Sequence, residues 1–415
     1  MSAVSALVCV ASAASGQCRG SLTPISGPIF NGPVFDIESL DDGRTVAAGM
    51  FSGTVERPLS FLSVRDGSGW VPFAGGANSA VGKLRRLEDG QLYASGSFTT
   101  IGGTQATHIA RWDGTAWHAI GTGPGFAEGH VGEMRAMPGG GLLVAGGFSQ
   151  TTWPSRLSTW DGASWSTFAA VEGSFISSFC LSPEGTVIAA GYFSTANGPA
   201  VVARWNGQNW DSMGGNFRPD PAAPHYGPTT VITTPGGEII VAGSFLFDTA
   251  DGDLSRNIAK WDGSGWLAMG DLPGAVWSLD FLSTGELVAG GWLTFPDRQA
   301  LVAIWTSGSW APLVVPSPEN ENASVRSMRA TSGGGLLLAV QLGYSSVYQW
   351  TPANSDFNGD GDFGTDADIE AFFACLAGNC CPACFPGGAD FNSDGDTGTD
   401  ADIESFFRVL AGGNC

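Results

Sequence analysis

The sequence predicts an all-β fold, a seven-bladed β-propeller closed by an N-terminal strand, followed by a small α-helical module at the C-terminus. Three observations carry this reading. A short aromatic hairpin motif recurs seven times along the chain. A glycine-rich strand motif precedes each copy by about twenty residues. The last copy lacks one strand, which residues near the N-terminus can supply.

The hairpin motif is clearest at Trp112-Asp113-Gly114-Thr115-Ala116-Trp117. It returns at Trp160–Trp165, Trp205–Trp210 and Trp261–Trp266, more weakly at Arg65–Trp70 and Trp305–Trp310, and half-complete at Gln349-Trp350. The seven anchors Arg65, Trp112, Trp160, Trp205, Trp261, Trp305 and Trp350 are spaced by 47, 48, 45, 56, 44 and 45 residues. A fixed period in this range marks a repeat architecture. Asp-Gly or Asn-Gly between two apolar runs is a turn signal, and the flanking Trp residues can meet as a cross-strand pair. The preceding motif reads Gly-x-Leu-x-Ala-Gly-Gly-x-Phe, with copies at 43–51, 90–98, 141–148, 185–193, 237–245, 285–293 and 335–342. A short apolar strand stands before each, at 34–40, 81–87, 131–137, 175–181, 230–234, 276–282 and 325–330. No helical period intervenes, so each unit reads as four antiparallel strands, which is a propeller blade.

The seventh unit stops after its third strand. Ser21-Leu22-Thr23-Pro24-Ile25-Ser26-Gly27 repeats the apolar spacing and trailing glycine of the outer strand Ala116–Gly121. These residues are expected to complete blade seven and remove an exposed sheet edge. Over about residues 20–351 the chain resembles secreted bacterial propellers with Gly-Gly-x-Phe and Ala-x-Trp-Asp-Gly signatures, distant from kelch and WD repeats. That resemblance implies the fold and little about chemistry.

The chain has 415 residues, 62 glycines and a formal net charge of −21. Nucleic acid and anionic membrane surfaces both need a positive patch, so neither suits this chain as a partner. Residues 1–16 are small and apolar, with Ala11-Ser12-Ala13 as a cleavage-like tripeptide; they read as the end of a secretory signal peptide whose basic start is missing. The run is too short for a membrane span. The expected organisation is a signal peptide at 1–16, the propeller at 17–351, a linker at 352–355 and an acidic module at 356–415. That module holds 12 acidic residues and one basic residue, Arg408. Secretion makes Cys375, Cys380, Cys381, Cys384 and Cys415 disulfide candidates. Cys381 and Cys384 also form a CxxC pair, which leaves a zinc site open as an alternative. Cys180, in an inner strand, reads as a buried thiol.

Two near-copies lie 34 residues apart in the module, starting at Asp356 and Asp390. Each opens as Asp-x-Asn-x-Asp-Gly, the front half of a calcium loop, whose oxygens at positions 1, 3 and 5 converge on one ion. A short helix follows each, at 369–377 and 403–411. Doubled loop-helix units ending in Leu-Ala-Gly-Asn-Cys and a cysteine-rich bridge resemble the Gly-Cys type of dockerin-like tail. The resemblance implies about two bound Ca²⁺ ions and attachment or sorting through a receptor or anchoring protein. The candidate ligands are Asp356, Asn358, Asp360, Asp362 and Asp368, then Asp390, Asn392, Asp394, Asp396 and Asp402. The loops depart from the twelve-residue pattern: position 12 is Ala367 or Ala401. With one inserted residue Asp368 and Asp402 take the rear position; otherwise Asp366 and Asp400 do.

The propeller carries no catalytic motif. His108, His118, His130 and His225 lack metal-ligand spacing, and each Asp of Trp-Asp-Gly reads as a turn residue. The 56-residue spacing reflects extra length at 214–229 and 246–257. Strand alternation puts both on the long-loop face, where Arg218, Asp220, His225, Tyr226, Asp248, Asp251 and Asp253 form a candidate binding group. The function read from the sequence is a secreted, non-catalytic propeller that binds a protein or glycan and is carried by a calcium-binding tail. The alternative is a carbohydrate-active hydrolase or lyase with carboxylates on the loop face or in the central channel.

Overall fold

The computed structural model describes residues 20–25, 30–54, 58–66, 69–87, 89–121, 131–137, 140–146, 154–172, 175–195, 198–219, 227–248, 254–296, 298–306, 308–316, 322–331, 334–342, 345–352, 357–358, 365–380, 388–392 and 396–410. Seven antiparallel sheets follow one another along the chain, each running from an inner to an outer strand. The inner strands are Val34–Ser39, Val81–Arg86, Val131–Ala136, Phe175–Leu181, Gly227–Thr233, Gly274–Phe281 and Ser324–Ala330. Each touches the inner strands before and after it, and the seventh touches the first. The result is the seven-bladed propeller that the repeat spacing predicts.

Within a blade, the turn after the inner strand is closed by a glycine at positive φ. Gly43 donates to the Leu40 carbonyl at 3.0 Å and Gly285 to the Leu282 carbonyl at 2.9 Å. The third and seventh blades use Gly140 and Gly334 in this role, one residue before the glycines that open the sequence motif. The aromatic hairpin forms as expected. Trp112 pairs with Trp117, Trp160 with Trp165, Trp205 with Trp210, Trp261 with Trp266 and Trp305 with Trp310. Their ring centroids lie 5.3–5.6 Å apart. The Asp or Asn after the first Trp caps the turn: Asp113 Oδ1 accepts the Thr115 and Ala116 amides at 2.8 and 2.9 Å.

In blades three, five and six the second Trp also ties its blade to the one before. The Trp165 indole N–H donates to the Ile120 carbonyl at 2.7 Å, Trp266 to Met213 at 3.0 Å and Trp310 to Met269 at 2.9 Å. In each case the acceptor lies on the outer strand region of the preceding blade. A buried indole N–H needs such a partner, and the large ring fills the space between sheets.

Ring closure follows the expected register. Ser21–Pro24 adds to Ser345–Thr351 as the outer strand of blade seven, with Leu22 opposite Trp350. Leu22 thus takes the place of the second Trp of a hairpin, and it is buried. The Ile25 amide extends the pairing to the Val347 carbonyl at 2.9 Å, while Ser26 and Gly27 fall outside the described residues.

Blade five departs from the four-strand expectation. Its second strand, Ile239–Asp248, is ten residues long and pairs over its far half with an extra strand, Asn216–Pro219. Parts of 214–229 and 246–257 are therefore strand, not loop. The cause is an apolar alternation that the loop reading overlooked: Phe217 packs on Phe245, Phe247 and Trp266 at 5.0–5.2 Å. A small hairpin, Thr100–Ile101 with Thr104–Gln105, decorates blade two.

The C-terminal helices are Asp366–Leu376 and Asp400–Leu410. Both start three residues earlier than the apolar spacing predicts. Thr365 and Thr399 act as N-caps, and the carboxylates of Asp368 and Asp402 reach back to their backbone amides at 2.8 Å, the reciprocal half of a capping box. The helices pack through Phe357, Phe372, Phe391 and Phe406, with Phe372 stacked on Phe406 at 4.0 Å. One disulfide joins Cys375 to Cys380; Cys381, Cys384 and Cys415 lie outside the described residues. Cys180 is a free, buried thiol. Among the described residues, no helix is long and apolar enough to cross a membrane. Residues 1–16 and 353–355 also lie outside them.

Two outcomes test this packing. Removing residues 1–25 should uncover the edge beside Trp350 and give concentration-dependent aggregation, measured by light scattering; a monodisperse, equally stable variant contradicts the closure. Trp266→Phe keeps an aromatic side chain but loses the pyrrole half of the indole with its bond to Met213, and should cost about 2–3 kcal/mol in chemical denaturation.

Candidate functional site

The inner strands share one irregularity that shapes the axis of the propeller. Each carries a β-bulge, between Val34 and Asp36, Val81 and Lys83, Val131 and Glu133, Ile176 and Ser178, Pro228 and Thr230, Val276 and Ser278, and Val325 and Ser327. The strand beside the bulge passes close to it, which explains the glycine of the Ala-Gly pair. A Cβ on Gly49 would stand 2.1 Å from the Pro33 carbonyl oxygen, and one on Gly291 2.0 Å from that of Ala275. Bulges re-aim the side chains that follow them. The residue after each bulge and the one two further on share a face of the strand. Blade six carries Asp280 here; in blades seven, one, two and three the charges are Arg329, Asp36 with Glu38, Lys83 with Arg85, and Glu133 with Arg135.

Those charges form one chain of ion pairs around the axis. Asp36 is fully buried, and its two oxygens take five donors. Oδ1 accepts the Ile37 amide at 3.1 Å, the Ser327 hydroxyl at 2.6 Å and Arg329 Nη2 at 2.9 Å. Oδ2 accepts the Leu84 amide and Arg85 Nη1, both at 3.0 Å. Arg85 Nη2 continues to Glu133 Oε1 at 3.2 Å, and the same oxygen takes Arg135. Burial alone would raise the Glu133 carboxyl, but Arg135, Arg85 and Lys83 outweigh it and hold it below its ordinary value. The Glu133 carboxylate is ionised and committed to its cations.

Glu38 differs. Its Oε2 is 3.7 Å from Arg329 Nε, at the limit of an ion pair. Burial, and then the negative charge of Asp36, push its pKa up to about 7. It borders a cavity of about 590 Å³ between blades seven, one and two, with Asp41, Arg86, Thr331 and Gln349 on the walls. Arg86 spans the rim to pair with Asp41. On the inner strand of blade six, burial raises the Asp280 carboxyl, against the pull of the Ala330 and Phe281 amides. Burial likewise raises the Cys180 thiol to about 11, which leaves it protonated.

The residues singled out from sequence fare unevenly. Arg218 and Asp248 meet in a bidentate pair, with Nε to Oδ2 at 2.8 Å and Nη2 to Oδ1 at 3.1 Å, across the extra strand of blade five. Asp220, His225, Tyr226, Asp251 and Asp253 lie outside the described residues, as do Asp356, Asp360, Asp362 and Asp394. His118 bonds the turn residue Asp113 at 2.6 Å and His108 bonds the Gly96 carbonyl at 3.1 Å, so both serve local structure. In the C-terminal module Asp368 and Asp402 are fully buried and equivalent. Asp368 Oδ1 accepts the Asn358 amide at 3.2 Å and Asp402 Oδ1 that of Asn392 at 3.1 Å. Burial raises Asp368, but the Thr365 and Asn358 hydrogen bonds outweigh it and leave the carboxyl below its ordinary value. The charged ring went unnoticed in the sequence. Its signal was present: Asp36/Glu38, Lys83/Arg85 and Glu133/Arg135 place charges on alternate positions of strands that ought to be buried.

A family model described as a domain of unknown function (DUF5122) beta-propeller matches residues 87–112. No curated protein matches the chain. Among solved structures, a catalytically inactive virginiamycin B lyase from Staphylococcus aureus with quinupristin is similar at 12% identity and a TM-score of 0.47, over 80% of this chain and 99% of that one. The WD40 propeller domain of Doa1 is similar at 14% identity and 0.48, over 79% and 96%. YCF48 bound to D1 peptide is similar at 13% and 0.47, over 83% and 97%. Likeness at this level does not carry an activity across.

Two measurements probe the ring. Arg85→Met takes one cation from each of two buried carboxylates, which keep Arg329 and Arg135, and should cost about 2–3 kcal/mol. Glu38 has a folded pKa above its unfolded value, about 7 against 4.5. The native state therefore holds the proton longer, and stability is lost as pH rises through that window. Glu38→Gln should raise stability at pH ~8 by up to about 3 kcal/mol, with the gain shrinking near pH ~4. A pH-independent difference in denaturation midpoints contradicts the assignment.

Proposed function

We propose that this protein is an exported, non-catalytic binding propeller, attached or sorted through a calcium-binding, dockerin-like tail. The observation that carries the tail assignment is its internal duplication. Two loops of equal length are closed in the same way by a buried carboxylate, Asp368 or Asp402, around a shared phenylalanine core. A buried carboxylate needs compensation. Each Oδ1 accepts the amide of the Asn in its own loop and is a hard oxygen donor of the kind a cation takes. The donor set of carboxylate and Asn amide oxygens suits a hard ion such as Ca²⁺. Among the described residues no three such groups converge; the other front ligands fall outside them. Asn358, Asp368, Asp390, Asn392, Asp396 and Asp402 are the described residues that would hold the ions, together with Asp356, Asp360, Asp362 and Asp394. Bound calcium would neutralise loop carboxylates and so favour the folded module.

The non-catalytic reading of the propeller is supported by Asp36 and Glu133, whose oxygens are engaged by cations and amides. The hydrolase alternative rests on Glu38, a carboxyl that titrates near neutrality beside a cavity. A glycosidase needs a second carboxylate in reach and free to act, and the neighbour Asp36 is engaged five times over.

Calcium titrated into the full chain should release or absorb heat with a stoichiometry of about two ions, with a parallel gain in helical ellipticity. Asp360→Ala with Asp394→Ala should abolish both while propeller unfolding stays unchanged. An absence of heat at millimolar calcium refutes the tail assignment.

A further inference from the structure

Resting on the binding reading above, we infer that the groove between blades three and four, on the tight-turn face, binds a pyranose unit of a glycan. The groove encloses about 550 Å³, within the roughly 300–1,000 Å³ of small-molecule sites. Phe168 from the outer strand of blade three and Trp205 from blade four form its floor, with ring centroids 5.7 Å apart. Both rings are half-buried, so part of each faces the groove. Arg204 and Asn206 stand on the rim beside the bare backbone of Gly207, where even a Cβ would meet nothing within 4 Å.

The same peptide motif in blade two is the internal control. There Phe73 packs on Trp112 at 5.0 Å but is itself buried, which leaves no open ring on that side. Arg111, the counterpart of Arg204, lies opposite Tyr93, hydrogen-bonds to it, and has its Nε enclosed. Arg204 lies opposite Ile188 instead. Its side chain is exposed and makes no hydrogen bond or ion pair among the described residues, with Asp211 opposite it on the outer strand. The turn residue is Asn206 where other blades have Asp113, Asp161 or Asp262, and the carboxylate of this rim is Asp211 instead. Its Oδ1 caps the turn and its Nδ2 bonds Asp211 at 2.9 Å, which fixes the amide in place.

The chemistry of this surface selects for a sugar. The C–H face of a pyranose presents weakly positive hydrogens to the negative face of an indole. The hydroxyls at its edge match a guanidinium, whose planar fork offers several donors at once. An aliphatic ligand would use the floor and leave Arg204 unmatched; a free anion would use Arg204 and leave the rings bare.

The experiment is a screen of the full-length protein on immobilised neutral oligosaccharides of gluco, manno, galacto and xylo type, followed by titration with the best binder under intrinsic tryptophan fluorescence. Saturable binding with a change in tryptophan emission is expected. Arg204→Ala, a surface change, should weaken it roughly 10- to 100-fold, and Trp205→Ala should abolish it. Arg111→Ala should leave affinity unchanged. No binding to any of these sugars, or binding that survives Arg204→Ala, overturns the inference. Capture of a protein ligand by a chain that ignores sugars would leave the binding reading standing and this site refuted. The Asp360→Ala, Asp394→Ala protein should bind sugar normally, which separates the groove from the tail.

Discussion

The structure depends on closing the circle between residues 21–24 and 345–351. Seven sheets laid side by side leave two open flanks unless the last blade packs on the first, and a sheet edge left bare pairs with other chains. Blade seven supplies three strands and the N-terminal segment the fourth. The register sets Leu22 against Trp350, so an apolar side chain occupies the position that a tryptophan holds in the complete hairpins. The chain ends of the propeller thereby hold each other, and every inner strand gains a neighbour on both sides.

Closure also decides what the inner strands do with their charges. Asp36 lies 291 residues from Ser327 and 293 from Arg329 in the chain, yet it bonds both. Opened, the ring would leave Asp36 with only its blade-two partners. An excluded, low-dielectric site makes unpaired charge costly and paired charge strong. The run of pairs from Arg329 through Asp36 and Arg85 to Glu133 thus couples four blades. Blades four and five carry Ser178 with Cys180 and Thr230 with Ile232 at these positions, and blade six Ser278 with Asp280, so the charge about the axis is lopsided. Glu38 sits at the edge of the charged half, where one distant arginine does not offset burial and the charge of Asp36.

The C-terminal module works at a different scale. Its core is four phenylalanines, and each half is held by one carboxylate that caps its own helix and grips the start of its own loop. So small an apolar core gives limited stability by itself. The Cys375–Cys380 disulfide and the proposed ions are the kinds of reinforcement that small modules use.

The sequence by itself determined the repeat, the strand order, the turns and the closing strand. These are local or periodic matters: Asp-Gly and Asn-Gly turns, Trp at fixed offsets and alternation of apolar residues all act within a few residues of each other. It also located the two loop-helix units, though it started each helix too late, because the capping role of Asp368 and Asp402 competes with their reading as rear loop ligands. It misread the Phe217 segment as loop, since a lone four-residue strand has too short a pattern to stand out. The tertiary structure alone decided that Arg218 meets Asp248, that Asp36 is shared by blades seven, one and two, and that Arg204 is open where Arg111 is closed. Those outcomes turn on which side chain stands opposite, Ile188 or Tyr93, and on which blade lies alongside. Strand pairing and ring closure fix both, and neither can be read from a residue's own neighbours in the chain.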